Sequence, residues 1–274
     1  CAVCASVTLA GHPVLGLLAA MAAGVCSGFV TAFLQTRLGI QSILAGIIVN
    51  TGLYTINIAV MGFASNLNLF ACDSVFTWAK DAIGGTWYKL IVAAVIVALV
   101  GVLISLFLNT RLGLSIRATG DNPDMVRASS INTGMMITIG LCVANALTGL
   151  SGGLLAQYQK SCDINLGTGM VTIALASLII GETIIGKGSM LKRVIGVILG
   201  SCLYRFIVAV ALRLNVPAEC LKLVSSIIVA VAIAFPYLKK QAVFYRQKRA
   251  AKAENEQYIA ELLREERMGK GGNA

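Results

Sequence analysis

A few polar and charged side chains interrupt otherwise apolar stretches of this sequence. Glu182 and Arg205 each lie within an apolar run, where an ionised group is costly and marks a functional position by default. A Glu182–Arg205 pair would relieve both charges, although the two residues lie at different depths in neighbouring runs. Three asparagines, Asn50, Asn57 and Asn145, also lie in apolar runs. Each of them either lines a polar interior surface or forms a hydrogen bond between helices.

No group of residues in the sequence is typical of an active site or a metal site. His12 is the only histidine, and it precedes Pro13 at a predicted turn. Cys1 and Cys4 form a C-x-x-C pattern without a second pair, so composition explains them better than metal or redox chemistry does. Paired carboxylates and Ser–His patterns are missing from the apolar runs. We therefore predict no enzyme activity, no cofactor and no metal site.

One stretch imitates a nucleotide-binding motif. Residues 181–187 read G-x-x-x-x-G-K, but Gly188 stands where Ser or Thr should bind Mg²⁺. The motif should also join a soluble strand to a helix, whereas here it ends the apolar run 173–185. If ATP drives this protein, we expect another chain to hydrolyse it.

Composition indicates which solvent surrounds the chain. Of its 274 residues, 57% are apolar and 12% are charged, and the mean hydropathy is +0.84. Soluble domains carry about 25% charged residues, so this chain requires the bilayer. It starts at Cys1 rather than Met and runs directly into the apolar stretch 2–10, from which we expect an N-terminal truncation and a partial first span.

Apolar runs of about 20 residues predict membrane-spanning helices. The clearest run is 90–108, and the others are 14–34, 42–62, 134–157, 170–186, 194–212 and 223–238. With the partial span at the start, we predict an all-α, polytopic membrane helix bundle with about eight spans. Small residues recur four apart in these runs, which predicts close helix packing; they are Ala20, Gly24 and Gly28, Gly149 and Gly153, and Gly196 and Gly200.

The domain division and the orientation follow from charge. We predict a transmembrane domain at 1–238 and a charged, helical cytoplasmic tail at 239–274. With that tail inside, sixteen of the 22 Lys and Arg residues face the cytoplasm and five face outside, as the positive-inside rule demands. The basic residues that open the tail would meet anionic membrane lipid.

Residues 110–133 form the most informative polar segment. Asn122 is a good helix cap, Pro123 suits a first turn, and Asp124 complements the helix dipole. The helix should end near Ile131, with Gly134 as a further stop signal. A helix of about nine residues is too short to span a bilayer. It either presents a small docking surface or belongs to an ordinary structured loop.

Three stretches resemble a known family. They read QTRLGIQSILAGIIVNTGLYTINIAVMG at 35–62, RATGDNPDMVRASSINTGMM at 117–136 and SGGLLAQYQ at 151–159. They resemble ABC permeases of the branched-chain amino acid and ribose type, and most of all the subgroup of tryptophan/tyrosine-type transport permeases. The resemblance covers about residues 14 to 240. Family members often carry Gly-Ile-Asn where this chain has Ser-Ile-Asn at 130–132.

The resemblance implies a membrane-spanning permease subunit of an ATP-driven importer in the bacterial plasma membrane, for an amino acid or similar small solute. In such permeases the segment after residue 117 forms a coupling helix that docks on a cytoplasmic ATPase. The implied contact residues are Asp121, Pro123, Asp124, Arg127 and Ile131. The implied partners are an ATPase dimer, an external solute-binding protein, a second permease copy and membrane lipid, without nucleic acid.

The polar residues of the apolar runs then become candidates for a substrate pathway: Asn50, Asn57, Asn145, Glu182 and Arg205. The alternative is a secondary transporter driven by an ion gradient, with Glu182 and Arg205 as its coupling pair. Transport by the chain alone, indifferent to ATP, would distinguish it.

Overall fold

The computed structural model describes residues 1–213 except Ala71, Thr86 and Lys187, with ten positions beyond them: Leu223, Ser226, Ile227, Ala230, Val231, Ala234, Gln241, Phe244, Tyr245 and Lys248. Most of the predicted span 223–238 and of the predicted tail 239–274 therefore lies outside the described residues. The chain divides into two compact units, residues 1–168 (unit 1) and residues 169–274 (unit 2).

Unit 1 is helical apart from one short ribbon. In chain order its described elements are α1 (Ala2–Leu9), α2 (Pro13–Thr36), α3 (Ser42–Val60), β1 (Asn66–Asn68), α4 (Val75–Ile83), α5 (Tyr88–Asn109), α6 (Arg111–Asp121), α7 (Pro123–Ala128), α8 (Thr133–Gln159) and β2 (Ser161–Asp163). The described part of unit 2 contains α9 (Met170–Ile185) and α10 (Met190–Arg213).

The most extensive helix contact in unit 1 joins α2 to α8. Gly24 on α2 lies so close to the backbone carbonyl of Asn145 that a Cβ there would clash, and Gly149 on α8 lies equally close to the carbonyl of Ala20. These residues let the two backbones touch, which is how helices associate tightly where lipid removes the hydrophobic driving force. The packing predicted from the small residues is confirmed here.

A small core lies at the end of unit 1 where α8 finishes. β1 and β2 pair antiparallel, with Leu67 opposite Cys162. Cys162, Leu69 and Met61 are buried together with Ala5 of α1. Burial raises the pKa of the Cys162 thiol, and the neighbouring Asp163 raises it further. The ribbon and α1 thus close this end of the unit around a buried apolar cluster.

Several short helices follow local signals in the sequence. Ser74 and Thr77 form a reciprocal cap at the start of α4, and Gly84, at φ 63°, ends it. α5 is apolar on all sides and mostly exposed within the chain, as expected of a helix surrounded by lipid or a partner. Thr110 caps α6 by accepting a hydrogen bond from the Gly113 N–H.

In unit 2, α9 and α10 pack antiparallel through small residues. Gly181 lies against the backbone of Gly196, and Gly200 lies against the Ser177 carbonyl. The stretch that imitates a nucleotide motif begins inside α9, and Gly181 is a helix-packing residue there. A phosphate-binding loop requires an open turn at this position, so the prediction that this stretch binds no nucleotide agrees with the fold.

Five described helices are long and apolar enough to cross a membrane: α2, α3, α5, α8 and α10. Their bounds agree with the predicted spans to within a few residues. α9 has 16 residues, which rise about 24 Å, less than the hydrocarbon thickness of about 30 Å. α1 has only 8 residues. The all-α membrane bundle is confirmed, whereas the count of eight spans is not.

Candidate functional site

The short helix α7 begins as the sequence predicts. The Asn122 side chain accepts a hydrogen bond from the Met125 N–H at 3.1 Å, and Pro123 occupies the first turn. Asn122 itself is extended, at φ −152° and ψ 96°, as the residue before a proline prefers. Asp121 is the last residue of α6, so a break of one residue separates the two helices.

The predicted end of α7 is wrong by three residues. The helix stops at Ala128 rather than near Ile131, because Ser130 takes a left-handed conformation at φ 61°. The Ile131 N–H then reaches back to the Val126 carbonyl at 3.3 Å, and the Ser130 N–H to that of Arg127 at 3.0 Å. This hydrogen-bond pattern is a helix stop that usually carries glycine at the left-handed position.

Arg127 ties α7 to the helix that follows it. Its Nε donates to Thr133 Oγ1 at 3.1 Å, and Thr133 is the buried first residue of α8. The Arg127 Nη1 also lies 3.7 Å from Asp124 Oδ1, an exposed ion pair that adds little stability. α7 is therefore capped at its start by Asn122 and joined at its end to the start of α8.

The outward surface of α7 combines three kinds of chemistry. Asp124 and Arg127 have side chains that are 89% and 68% exposed. Met125 between them is 69% exposed. Val126 is buried on the opposite side. A carboxylate, a flexible thioether and a guanidinium thus face away from the unit together.

α6 packs α7 onto the bundle. It contacts both α5 and α8, and Ile116 approaches α8 so closely that a Cβ on Gly140 would lie 3.2 Å from Ile116 Cγ2. Thr119 is buried and donates to the Ser115 carbonyl at 2.7 Å. The segment predicted as one short helix is a pair of helices, of which the first is an anchor.

The asparagines proposed for the pathway lie on different helices. Asn145 is half-buried in α8, and its amide donates to the Leu141 carbonyl of its own helix at 2.9 Å. Asn50 is exposed and Asn57 is half-buried, both on α3, which packs on α2 and α1. The structure therefore groups Asn50 with Asn57 and places Asn145 on another element.

Glu182 and Arg205 do not pair. Glu182 is half-buried in α9 and Arg205 is exposed in α10, and no ion pair joins them among the described residues. In the antiparallel register set by Gly181 against Gly196, Arg205 lies about 15 Å further along the axis than Glu182. The two side chains do not meet because they lie at different depths, as their positions in the two apolar runs indicate.

Gln157 is a buried polar residue that sequence reasoning missed. It is 1% exposed, and its Nε2 donates to the Pro13 carbonyl at 2.8 Å and to Thr8 Oγ1 at 3.3 Å. Its Oε1 accepts from the Val75 N–H, a free donor at the start of α4, at 3.3 Å. One side chain thus joins α8, α4 and the α1–α2 turn. Its position at the end of the apolar run 134–157 was the available signal.

Comparison with known proteins places this arrangement in a family. The profile of the branched-chain amino acid transport system permease component matches residues 1–233. The chain belongs to this permease family. The capped α6–α7 segment lies inside the matched region, as do the described helices α1 to α10.

Individual relatives agree with the family. The permease is 34% identical over 229 residues to the tyrosine transport system permease protein of Clostridioides difficile (strain R20291), covering 84% of this chain and 75% of the relative. It is 27% identical to an uncharacterized protein of Rickettsia prowazekii (strain Madrid E), covering 79% and 77%. It is 24% identical to the ribose import permease protein of Escherichia coli (strain K12), covering 81% and 68%. No solved structure gives a significant match.

The family settles the general role of the permease. It is the membrane component of an ABC importer and not an enzyme, and ATP hydrolysis belongs to a separate subunit. The family implies an ATPase and a solute-binding protein as partners. The family contradicts the alternative of an ion-gradient transporter. Its coupling pair also lacks support, because no ion pair joins Glu182 to Arg205 among the described residues.

Proposed function

We propose that this permease imports an amino acid or similar small solute across a bacterial plasma membrane, and that α7 is the helix on which its ATPase acts. Two permease copies would surround a shared pathway, with an ATPase dimer on the cytoplasmic side, a solute-binding protein outside and lipid around them. The relative named for tyrosine transport is more similar to this chain, at 34% identity, than the ribose permease is at 24%, which favours an amino acid.

One observation carries the coupling proposal: α7 is short, held at both ends, and exposes Asp124, Met125 and Arg127. A surface fixed before docking loses less conformational entropy when a partner binds. An exposed Met adapts to an apolar depression, while flanking charges orient the partner. Three further residues flank or begin α7 and belong to the proposed surface: Asp121 at the end of α6, Pro123 at the start of α7, and Ile131 just after the turn that ends it.

The pathway proposal retains Asn50, Asn57, Asn145, Glu182 and Arg205. In its support, Asn50 and Arg205 are exposed within the chain although they lie in helices long enough to span a membrane. An amide or guanidinium in such a position needs water or protein around it.

The test of coupling changes only outward-facing groups. Asp124→Lys with Met125→Ser leaves the Asn122 cap and the Arg127–Thr133 hydrogen bond in place. We expect normal membrane levels, a loss of at least about tenfold in co-purified ATPase, and a loss of ATP-dependent uptake. The reason is that docking would bury position 124, and reversing the charge of a side chain that becomes buried in an interface costs several kcal/mol. Co-purification and uptake in proteoliposomes measure both.

A matched control carries a similar change elsewhere. Lys80→Glu with Asp81→Lys alters two exposed charges on α4, which joins unit 1 at the end occupied by the ribbon. This variant should keep ATPase association. If the α7 variant retains both association and uptake, the coupling assignment is wrong.

A further inference from the structure

One face of α3 carries a row of polar side chains that have no hydrogen-bond partner among the described residues. Asn50, Tyr54 and Asn57 are spaced i, i+4 and i+7, which places them on one side of a helix. Asn50 is exposed, Tyr54 is 50% exposed and Asn57 is half-buried. Gly46 precedes the row by one turn, and a Cβ there would meet nothing within 4 Å. The row therefore borders open space and not another described helix.

The side chains of this row make no hydrogen bond to the described part of the chain. Other polar groups in the spanning helices bond to the carbonyl one turn earlier, as Thr51 does to Ile47 at 2.9 Å and Asn145 to Leu141 at 2.9 Å. An amide or phenol that faces hydrocarbon without a partner costs several kcal/mol. Asn50 and Tyr54 lie near the middle of the 19-residue helix, where the headgroup region cannot supply a partner.

The rest of α3 is suited to lipid. Ile48 and Ile56 are exposed and apolar, and they lie off the polar row at similar depths. α3 contacts the rest of unit 1 along a narrow edge that includes the buried Ala45 and Val49. The helix therefore has one protein edge, an apolar surface and one polar row, which is the pattern of a helix at the boundary between lipid and water.

We infer that the face of α3 carrying Asn50, Tyr54 and Asn57 lines the solute pathway and selects a hydrogen-bonding solute without net charge. Asn50 and Asn57 are already pathway candidates; Tyr54 and the class of solute are new, and the inference rests on the proposed function.

The chemistry of the row defines that class. The amides of Asn50 and Asn57 each donate and accept hydrogen bonds. The hydroxyl of Tyr54 does the same, and its ring adds an aromatic surface. α3 contains no Asp, Glu, Lys or Arg. Charge-selective pathways use rings of fixed opposite charge, so this wall favours zwitterionic or polyhydroxylated solutes over ions.

Thiol accessibility tests the pathway wall. Single cysteines replace Asn50, Tyr54 and Asn57, and the controls are Ile48→Cys and Ile56→Cys, in a background without native cysteines that retains uptake. A water-soluble methanethiosulfonate should modify the three row positions at least about tenfold faster than the two controls. Equal rates on both faces would overturn the inference, and so would a protected row, which would show that a second permease copy covers it.

The solute class is tested by uptake through the full transporter. Asn50→Asp keeps the size of the side chain and adds a fixed charge, and we expect at least a tenfold loss of uptake, with Asn50→Gln much less affected. Uptake of tyrosine and of ribose in the parent protein distinguishes the amino acid from the sugar. Unchanged uptake by Asn50→Asp would overturn the inference that this face selects solutes without net charge.

The labelling does not involve the ATPase, so its result is independent of the coupling proposal. ATP-independent uptake with a labelled row would contradict the proposed function alone. ATP-dependent uptake with an unlabelled row would contradict this inference alone.

Discussion

Ser130 occupies a backbone conformation that glycine tolerates better than any residue with a side chain. At φ 61° its Cβ crowds the following carbonyl, at a cost of roughly 1–2 kcal/mol. Members of the family that this chain resembles often carry glycine here. The structure explains why: this residue ends α7 and turns the chain toward α8. The serine is tolerated because the hydrogen bonds around it fix the turn.

Replacing this serine should therefore stabilise the protein. We expect Ser130→Gly to raise stability by roughly 0.5–1 kcal/mol, the relief of strain being partly offset by the freedom of glycine in the unfolded chain. Thermal unfolding of the purified permease in detergent measures the change. Ser129→Gly is the control, since Ser129 has φ −84° and gains nothing from glycine; a higher midpoint for that variant as well would contradict the explanation.

At the scale of elements, the α2–α8 pair depends on missing side chains. A Cβ on Gly149 would clash with the Ala20 carbonyl, whereas a Cβ on Gly52 of α3 would meet nothing within 4 Å. Gly149→Ala should cost roughly 1–3 kcal/mol through overpacking. Gly52→Ala should be neutral or stabilising, since alanine favours helix. Thermal midpoints of the two variants in the same detergent measure the difference, and equal losses would show that the close approach carries no energetic weight.

Long elements were predictable from the sequence, and short ones were not. The run 134–157 predicted α8 (Thr133–Gln159) because a mostly apolar stretch of this length is stable chiefly as a helix in the bilayer. β1 and β2 have three residues each, too few for alternation to show. α7 was predicted at its start, where Asn122 and Pro123 act locally. Its end was missed because Ser is not a usual helix stop.

Contacts between distant residues lay beyond sequence reasoning for a different reason. Gln157 meets Thr8 and Val75 across separations of 149 and 82 residues, and no local pattern encodes such pairs. The Arg127–Thr133 bond spans only six residues, yet it depends on the turn at Ser130. Packing decides these contacts, whereas periodicity and capping decide the elements.

At the scale of the whole molecule, charge predicts the orientation. Residues 63–88 should face outside, and 110–133 and 239–274 should face the cytoplasm, because sixteen Lys and Arg residues would otherwise be translocated. Single cysteines at Asn66, Ser115 and Gly271 in intact cells, probed with an impermeant thiol reagent, measure this. Only position 66 should react; labelling at 271, which lies outside the described residues, would reverse the orientation.

α8 has a mechanical consequence for unit 1. Thr133 at its first residue holds Arg127 of α7, and Gln157 near its last holds the start of α4 and the α1–α2 turn. The two attachment points are separated by 24 residues of one continuous helix, a rise of about 36 Å. α8 would therefore transmit an axial shift of α7 to the opposite end of the unit as one rigid rod, without a relay of separate side chains.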